Sequence, residues 1–282
     1  MLPAATEIVG TLGLMDQLVA VSHECDHPAE ANRRPRITHC AIHNQGLPSD
    51  EVDCWVSEKL RAGESLYTID ENRLRELEPD LILTQKLCDV CAPAYGSVAA
   101  LASTLPKPPR VLNLEPTSLA DVFDNIREVA AAMGHPDRAD EVCRSLFKRV
   151  DAVITRMALL PPPTVFVMEW SDPIYNAGHW TAELVRVAGG EPVLSPEGTR
   201  SCRIAWEQLR DADPEVLVIA CCGHSVERTR QDLPKLEQLA GWKDLRAVKS
   251  GRVHIEDGSA YFSRPGPRLV DTLEILAAIL HP

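Results

Sequence analysis

The chain of 282 residues is poor in aromatic residues and in positive charge, and it has no long apolar run. Only 5% of its residues are aromatic, and 29 lysines and arginines stand against 41 aspartates and glutamates. A formal net charge of -12 argues against an extended surface for nucleic acid or for an anionic membrane. No segment approaches the roughly 18 apolar residues of a transmembrane helix, so no membrane span is expected. A hydrophobic content of 45% is enough for a full core, in one large unit or two smaller lobes.

The beginning of the chain also lacks the features of a secretion signal. Residues Met1 to Ala5 carry no cationic side chain, and the apolar stretch after them is interrupted by Glu7 and Asp16. The nine cysteines are an odd number, which does not suit a secreted disulfide framework. Both observations favour a reducing compartment. We therefore expect a cytoplasmic protein, or a periplasmic one if the start of the chain is truncated.

Several motifs of common enzyme classes are missing as well. The chain contains no phosphate-binding Gly-x-x-x-x-Gly-Lys-Ser/Thr, no dinucleotide-binding Gly-x-Gly-x-x-Gly, no Gly-x-Ser-x-Gly and no His-Glu-x-x-His. The sequence therefore predicts a protein that is not an enzyme, with thiol-redox or chelatase-like activity of the cysteines left open.

What the chain does contain is an internal repeat. The segment from Leu74 to Thr84 reappears as the segment from Leu209 to Ile219, and each reads as a short helix, a proline and a continuous apolar strand. Such strands are typical of a parallel sheet that is covered by helices on both faces. Two further elements recur in the same order, a helix ending at glycine and a short late strand: Gly13 with Gly189, and Arg110 with Arg252.

The repeat predicts an α/β fold of two Rossmann-like lobes with parallel sheets, joined by a long helix, with a ligand cleft between them. We place the N-terminal lobe at residues 1–116 and expect its first strand to be missing. The connecting helix takes residues 117–162, and the C-terminal lobe takes residues 163–282. The sequence Gly134-His135-Pro136 predicts a break or kink within the connecting helix.

Cysteine and histidine side chains follow strands that the repeat makes equivalent. Cys88 and Cys91 come after the first-lobe strand, and Cys221, Cys222 and His224 come after its counterpart. His23 and Cys25 lie in a loop after a further expected strand, residues 18–21. Thiolates favour zinc, copper(I) or an iron–sulfur cluster, and a redox pair or plain packing of cysteines as small hydrophobes are the alternatives. The predicted metal ligands are Cys88, Cys91, Cys222, His23 and Cys25.

Aromatic side chains concentrate in two segments of the second lobe. Trp170, Tyr175, His179 and Trp180 follow the strand that begins at Thr164. Aromatic rings at the rim of a site offer flat apolar faces to a large planar ligand. A second group, near the end of the chain, adds an arginine that could reach polar groups of the same ligand. Its members are Tyr261, Phe262 and Arg264.

Five motifs carry a resemblance over essentially the whole chain: Leu2–Ile8, Glu78–Ile82, Ala188–Gly190, Ala212–Pro214 and Phe262–Arg268. In this order they resemble the cobalamin-binding and iron-complex-binding proteins of ABC importers, whose two lobes are joined by a backbone helix. The resemblance implies a binding protein for cobalamin, another corrinoid or a related metal chelate, held in the cleft. It assigns ligand binding to Tyr67, Trp170, Trp180, Tyr261, Phe262 and Arg264. The aromatic loop of the second lobe adds His179 to the predicted ligand-binding residues.

The resemblance also implies an ABC permease as a partner, and two features depart from the pattern. Glu207 matches the docking acid of the second lobe, whereas the matching first-lobe position is Asn72, with Glu71 beside it. The cysteines of His-Glu-Cys-Asp and Cys-Asp-Val-Cys are not typical of importer receptors. A cytoplasmic metal-binding, cluster-binding or redox protein that uses the cleft cysteines is therefore the alternative function.

Overall fold

The computed structural model describes residues 1–42, 46–86 and 93–282. Its backbone contacts divide the chain into two compact units. The first unit comprises Met1–Leu47, Cys54–Pro116 and Ala120–Arg144, and the second comprises Pro48–Asp53, Thr117–Leu119 and Ser145–Pro282. The predicted lobe boundaries, 1–116, 117–162 and 163–282, stay a prediction beside this division.

The first unit contains two separate pairs of strands. Strands β1 (Thr38–Cys40) and β2 (Tyr67–Ile69) pair antiparallel, and β3 (Leu81–Thr84) and β4 (Arg110–Asn113) pair parallel. The buried Ile82 of β3 packs with Leu74, Val98 and Leu105 in one core cluster. The first six helices of the chain are α1 (Pro3–Thr11), α2 (Ser49–Arg61), α3 (Glu71–Leu77), α4 (Tyr95–Ser103), α5 (Leu119–Ala132) and α6 (Pro136–Met157). Three of these helices, α2, α5 and α6, contribute residues to both units.

The second unit is built on one sheet with the strand order β6-β5-β8-β9, and β7 pairs with β5. Strands β5, β7, β8 and β9 run parallel, and β6 is antiparallel to β5. The strands are β5 (Thr164–Ser171), β6 (Ile174–Asn176), β7 (Glu191–Pro192), β8 (Val216–Ile219) and β9 (Val253–Ile255). The helices are α7 (Thr181–Val187), α8 (Trp206–Ala212), α9 (Val226–Arg230), α10 (Leu233–Glu237), α11 (Arg246–Lys249) and α12 (Leu269–Leu280). All four residues of β8 are buried, as its continuous apolar sequence predicts.

The internal repeat is present in the backbone itself. Helix α3 and strand β3 correspond to α8 and β8, and the residue after each helix is left-handed, with φ 41° at Glu78 and φ 40° at Asp213. Each of these residues precedes a proline, and the proline ring disfavours the right-handed helical region for its predecessor. Glycines with positive φ follow α1 and α7, at Gly13 and Gly189. The predicted α/β fold with parallel strands is therefore confirmed.

Two local predictions have different outcomes. The break at residues 134–136 is present, because Gly134 has φ 80° and Pro136 opens α6. The strand expected at residues 18–21 is wrong, since Val21 forms only an isolated bridge with Arg36. No helix of the described residues is both long enough and apolar enough to cross a bilayer.

Candidate ligand-binding site

The parallel strands of the second unit bring the segments that follow them to one edge of the sheet. The carboxyl end of β5 carries Trp170, and the end of β8 leads into Cys221, Cys222 and His224. The turn after β9 approaches the same edge, since the N–H of Ser259 donates to the carbonyl of His224 at 3.1 Å. In parallel α/β sheets this edge is the usual place for a ligand.

Trp170 is held at this edge by its indole nitrogen. The register of β5 against β6 shifts between Met168 and Trp170, which is the irregularity of a β-bulge. The indole Nε1 donates to the carbonyl oxygens of Ser49 and Asp172, at 3.2 and 3.0 Å. The ring lies 4.8 Å from the ring of His224, tilted by 45°. The indole is therefore fixed through its polar atom while the residue stays partly exposed.

The turn of His179 and Trp180 is fixed by a neighbouring loop. A Cβ on Gly178 would lie 2.3 Å from the backbone nitrogen of Ser201, so only glycine fits beneath this loop. His179 has φ 54°, and its N–H donates to the carbonyl of Thr199 at 2.6 Å. The ring of His179 stacks against Trp180 at 5.5 Å. Trp180 is buried, and its Nε1 donates to the carbonyl of Phe262 at 3.1 Å.

Two titratable groups belong to this turn. Burial raises the pKa of Glu169, although its Oε2 accepts from the N–H of Gly178 at 3.1 Å. Burial, together with the positive charge of Arg200, lowers the pKa of His179. The imidazole of His179 is therefore neutral at physiological pH.

The last group of predicted ligand residues lies on a π-helical turn, Gly258–Phe262, and just after it. The carboxylate of Asp257 accepts from the N–H of Ala260 at 2.7 Å and so caps this turn. Tyr261 is partly exposed, and the guanidinium of Arg268 lies 4.5 Å from the centre of its ring. Phe262 and Arg264 are both buried, with exposed fractions of 5%. Of the predicted residues in the second unit, Trp170, His179 and Tyr261 are the ones that are partly exposed.

A buried polar network that sequence reasoning missed lies beneath the strand ends. Asp232, only 5% exposed, accepts at Oδ2 from the hydroxyls of Ser49 (2.5 Å) and Ser171 (2.7 Å). Its Oδ1 accepts from Nη1 of Arg228 at 3.0 Å. Burial alone would raise the pKa of Asp232, but these three hydrogen bonds hold it below its usual value. An ionised carboxylate therefore ties three segments of the second unit together.

Cys221, His224 and Asp232 form the one group of potential metal ligands found among the described residues, with their ligand atoms within 4.8 Å of one another. Burial raises the pKa of Cys221 to about 12, so this thiol is protonated. Burial and the charge of Arg228 lower the pKa of His224 to about 4. The oxygens of Asp232 already accept three hydrogen bonds. A protonated thiol, a neutral imidazole and a carboxylate with its hydrogen bonds already made are typical of a buried network that stabilises the fold.

We expect His224 to make the second unit less stable in acid. The unfolded chain binds a proton at His224 below about pH 6.5, whereas the folded chain does so only below about 4. The free energy of unfolding should therefore fall as the pH drops through this window. Urea unfolding at several pH values checks this, with His224→Gln as the comparison. The free energy of unfolding of the wild type minus that of the variant should decrease as the pH falls from 7 to 4. A difference that does not change with pH would contradict the argument from burial.

In the first unit, Tyr67 and His23 lie together. Their ring centres are 5.4 Å apart, and Nδ1 of His23 is 2.7 Å from the hydroxyl of Thr38. Nε2 of His23 is 3.4 Å from Oε1 of Glu24. This corner therefore presents one aromatic residue beside a histidine whose ring is held from two sides.

Among the described residues, the group of potential metal ligands that can be recognised contains none of the predicted ligands His23, Cys25 and Cys222. Cys25 is fully buried, and its sulfur lies 3.1 Å from the hydroxyls of both Thr6 and Ser22. Cys222 belongs to the second unit, where its N–H donates to the carbonyl of Glu169 at 2.8 Å. Cys88 and Cys91 lie outside the described residues, so their part in a metal site stays a prediction.

The curated relatives of this chain include vitamin B12-binding proteins. The chain is 24% identical to a vitamin B12-binding protein of Yersinia pestis over 77% of this chain and 67% of that protein. It is 23% identical to a vitamin B12-binding protein of Vibrio cholerae over 99% of this chain and 86% of that protein.

Solved structures show the same fold. The periplasmic vitamin B12 binding protein of Vibrio cholerae matches with a TM-score of 0.72 at 21% identity, covering 99% of this chain and 94% of the other. A periplasmic haem-binding protein in complex with two haems matches with a TM-score of 0.74 at 19% identity, covering 99% and 95%. These names give no support to a thiolate-bound metal or an iron–sulfur cluster.

A family model described as periplasmic binding protein matches residues 2–259. The cytoplasmic location expected from the cysteines is therefore wrong, since the matching family is described as periplasmic binding protein and the vitamin B12 binding protein of Vibrio cholerae is periplasmic. Cys25, Cys143 and Cys221 are buried and free, so they pack as small hydrophobic residues and their number does not report the compartment. The family predicted from the sequence motifs is therefore confirmed. The chain belongs to the periplasmic binding protein family.

Proposed function

We propose that the chain binds cobalamin, or a closely related metal chelate, and presents it to an ABC importer. The observation that carries this proposal is the similarity to a vitamin B12-binding protein over 99% of this chain, together with aromatic residues at the sheet edge where α/β folds bind ligands. The haem-binding proteins of the same fold favour a flat tetrapyrrole-like ligand in general.

The second unit offers this ligand three partly exposed rings. Trp170 and Tyr261 give apolar faces, and both are held from behind, by the indole hydrogen bonds and by Arg268. Rings that are already fixed lose little side-chain entropy when a ligand stacks on them. The neutral imidazole of His179 adds a hydrogen-bonding group beside Trp180. Tyr67 gives a similar aromatic surface on the first unit.

In this proposal, three buried residues do not contact the ligand but hold the residues that do: Trp180, Phe262 and Arg264. All three are buried, and the indole of Trp180 is bonded to the carbonyl of Phe262. Arg264 donates from Nη2 to the hydroxyl of Ser259 at 3.2 Å, within the turn that carries Tyr261. Together they join the two segments that present His179 and Tyr261.

The importer contact is assigned to the first turn of α8. Glu207 lies there, exposed to solvent. In the repeat of the first unit, Glu71 opens α3 and pairs with Arg75 at 3.1 Å. We therefore place the stronger permease contact on Glu207.

We expect Trp170→Leu to weaken cobalamin binding at least tenfold, because one fixed aromatic face is lost. Equilibrium dialysis of the full chain against cyanocobalamin measures the dissociation constant. Trp206→Leu is the matched control, since Trp206 stacks on Trp242 at 6.2 Å and bonds to the carbonyl of Ala240 instead of lying at the strand ends. Equal affinities for both variants would contradict the assignment of Trp170. Absence of binding to wild-type protein would contradict the function.

A further inference from the structure

Strand β9 lies at the end of the sheet order of the second unit, so one of its edges is unpaired within the described chain. Its other edge bonds to β8 through the residues at even positions. The carbonyl of Arg252 accepts from Leu217 at 3.0 Å, and the N–H of Glu256 donates to Ile219 at 2.9 Å. Since alternate residues of a parallel strand bond to the same neighbour, the N–H and C=O groups of Val253 and Ile255 point to the free edge.

A groove of about 540 Å³ runs beside this free edge, between β9 and helix α12. The strand and the residues that flank it contribute three side chains of one face, and the helix contributes an apolar wall. The lining includes Arg252, His254, Glu256, Ile275, Ala278 and Ile279. An unpaired strand beside an apolar wall is a surface that another chain can extend.

The charged side chains on and beside β9 are arranged so that they would complement those of a second, antiparallel copy of the strand. Arg252, His254 and Glu256 follow each other at every second residue, with opposite charges at the two ends. Burial and the neighbouring Asp257 raise the pKa of Glu256, and no ion pair to this carboxylate exists in the described residues. Arg252 uses Nη2 for the carbonyls of Ile279 and Leu280 at the end of α12. A guanidinium has five N–H donors, so others remain for a carboxylate.

We propose that two copies of this chain associate through antiparallel pairing of their β9 strands. With His254 opposite His254 of the partner subunit, Val253 pairs with the partner subunit's Ile255 through the outward N–H and C=O groups. The same register sets Arg252 opposite the partner subunit's Glu256, and the reverse pair follows by two-fold symmetry. A shift by one residue would place backbone N–H and C=O groups that point to the free edge opposite groups that point to β8, so the hydrogen bonds could not form. The hydrogen bonds and the opposite charges together therefore select one register.

The same symmetry covers the groove. A two-fold axis through paired edge strands makes one continuous sheet, and it brings the two α12 helices to the same face of that sheet. The apolar residues Ile275, Ala278 and Ile279 then lie next to their copies, which removes the wall of the groove from water. The second copy thus supplies the cation that Glu256 lacks and the cover that α12 lacks.

Analytical ultracentrifugation of the full chain over about 1 to 200 µM tests this. We expect the mass to rise toward twice the 31.0 kDa of the chain. Glu256→Lys sets like charges opposite each other at both symmetric pairs, so its dimer dissociation constant should rise at least tenfold. Glu237→Lys makes the same change of charge at an exposed residue of α10 and should leave the dissociation constant unchanged.

Arg252→Glu combined with Glu256→Lys reverses the pair and should recover most of the lost association. The double variant also removes the hydrogen bond that Arg252 donates to the carbonyl of Leu280 at the end of α12, whereas Glu256→Lys alone keeps it. The comparison of Glu256→Lys with Glu237→Lys therefore tests the proposed pairing even if the double variant does not fold. A wild-type chain that stays at 31.0 kDa throughout overturns the proposal. So does a dimer that Glu256→Lys and Glu237→Lys affect equally.

Discussion

Replacing Asp232 by alanine should destabilise the second unit by about 3 kcal/mol, the range found when one partner of a buried ion pair is removed. The variant leaves the guanidinium of Arg228 without its carboxylate, and it leaves the hydroxyls of Ser49 and Ser171 without their acceptor. Urea unfolding, followed by tryptophan fluorescence, measures the loss. Asp244→Ala is the matched control, because Asp244 pairs with Lys249 at the surface and should cost less than about 1 kcal/mol.

The pH dependence of this loss has a definite sign. The pKa of Asp232 is lowered in the folded chain, so its contribution is present above the unfolded value, about 3.9, and is lost as the pH falls through the lower folded value. The wild-type and Asp232→Ala chains should therefore become more alike in stability below about pH 4. A gap of the same size at pH 7 and pH 3 would mean that the carboxylate charge contributes nothing.

Gly258→Ala should both destabilise the second unit and abolish ligand binding. A Cβ at this position would lie 2.1 Å from the carbonyl oxygen of Cys221 and 2.6 Å from its carbonyl carbon. Backbone atoms cannot move aside as a flexible side chain can, so the turn itself must shift, at a cost of about 2 kcal/mol or more. That turn carries Tyr261 and Phe262, so a shift also removes the aromatic face of the proposed site.

Gly96→Ala is the matched control for this substitution. Nothing lies within 4 Å of a Cβ at Gly96, which is in the first turn of α4. Alanine is a better helix former than glycine, so this variant should be neutral or slightly more stable. Thermal unfolding and cyanocobalamin dialysis of both variants give the comparison. Equal behaviour of the two variants would contradict the close contact between Gly258 and Cys221.

The fold could be predicted from the sequence because the repeated sequence segments also form the same secondary structure. Helix, proline and continuous apolar strand recur around Pro79 and Pro214, and in both copies the residue that ends the helix before the proline is left-handed. The edge of the sheet that carries Trp170 and His224 followed from the direction of the parallel strands.

The detail of the site could not be read in the same way. Trp170 and Trp180 are the same residue type in the same segment, yet Trp170 is partly exposed and Trp180 is buried, with its indole bonded to the carbonyl of Phe262 far along the chain. The network of Asp232 draws on Ser49, Ser171 and Arg228, and no local pattern links them. Cysteine number misled in part because Cys25, Cys143 and Cys221 are buried free thiols, and sequence spacing does not show burial.

The most direct test of the proposed function is isothermal titration of cyanocobalamin into the full chain at neutral pH. We predict saturable binding of one ligand per chain, with a dissociation constant in the micromolar range or tighter. Burial of the corrin ring against aromatic side chains should also give a negative heat-capacity change. Absence of saturable heat at every temperature, with the protein folded, would contradict cobalamin binding.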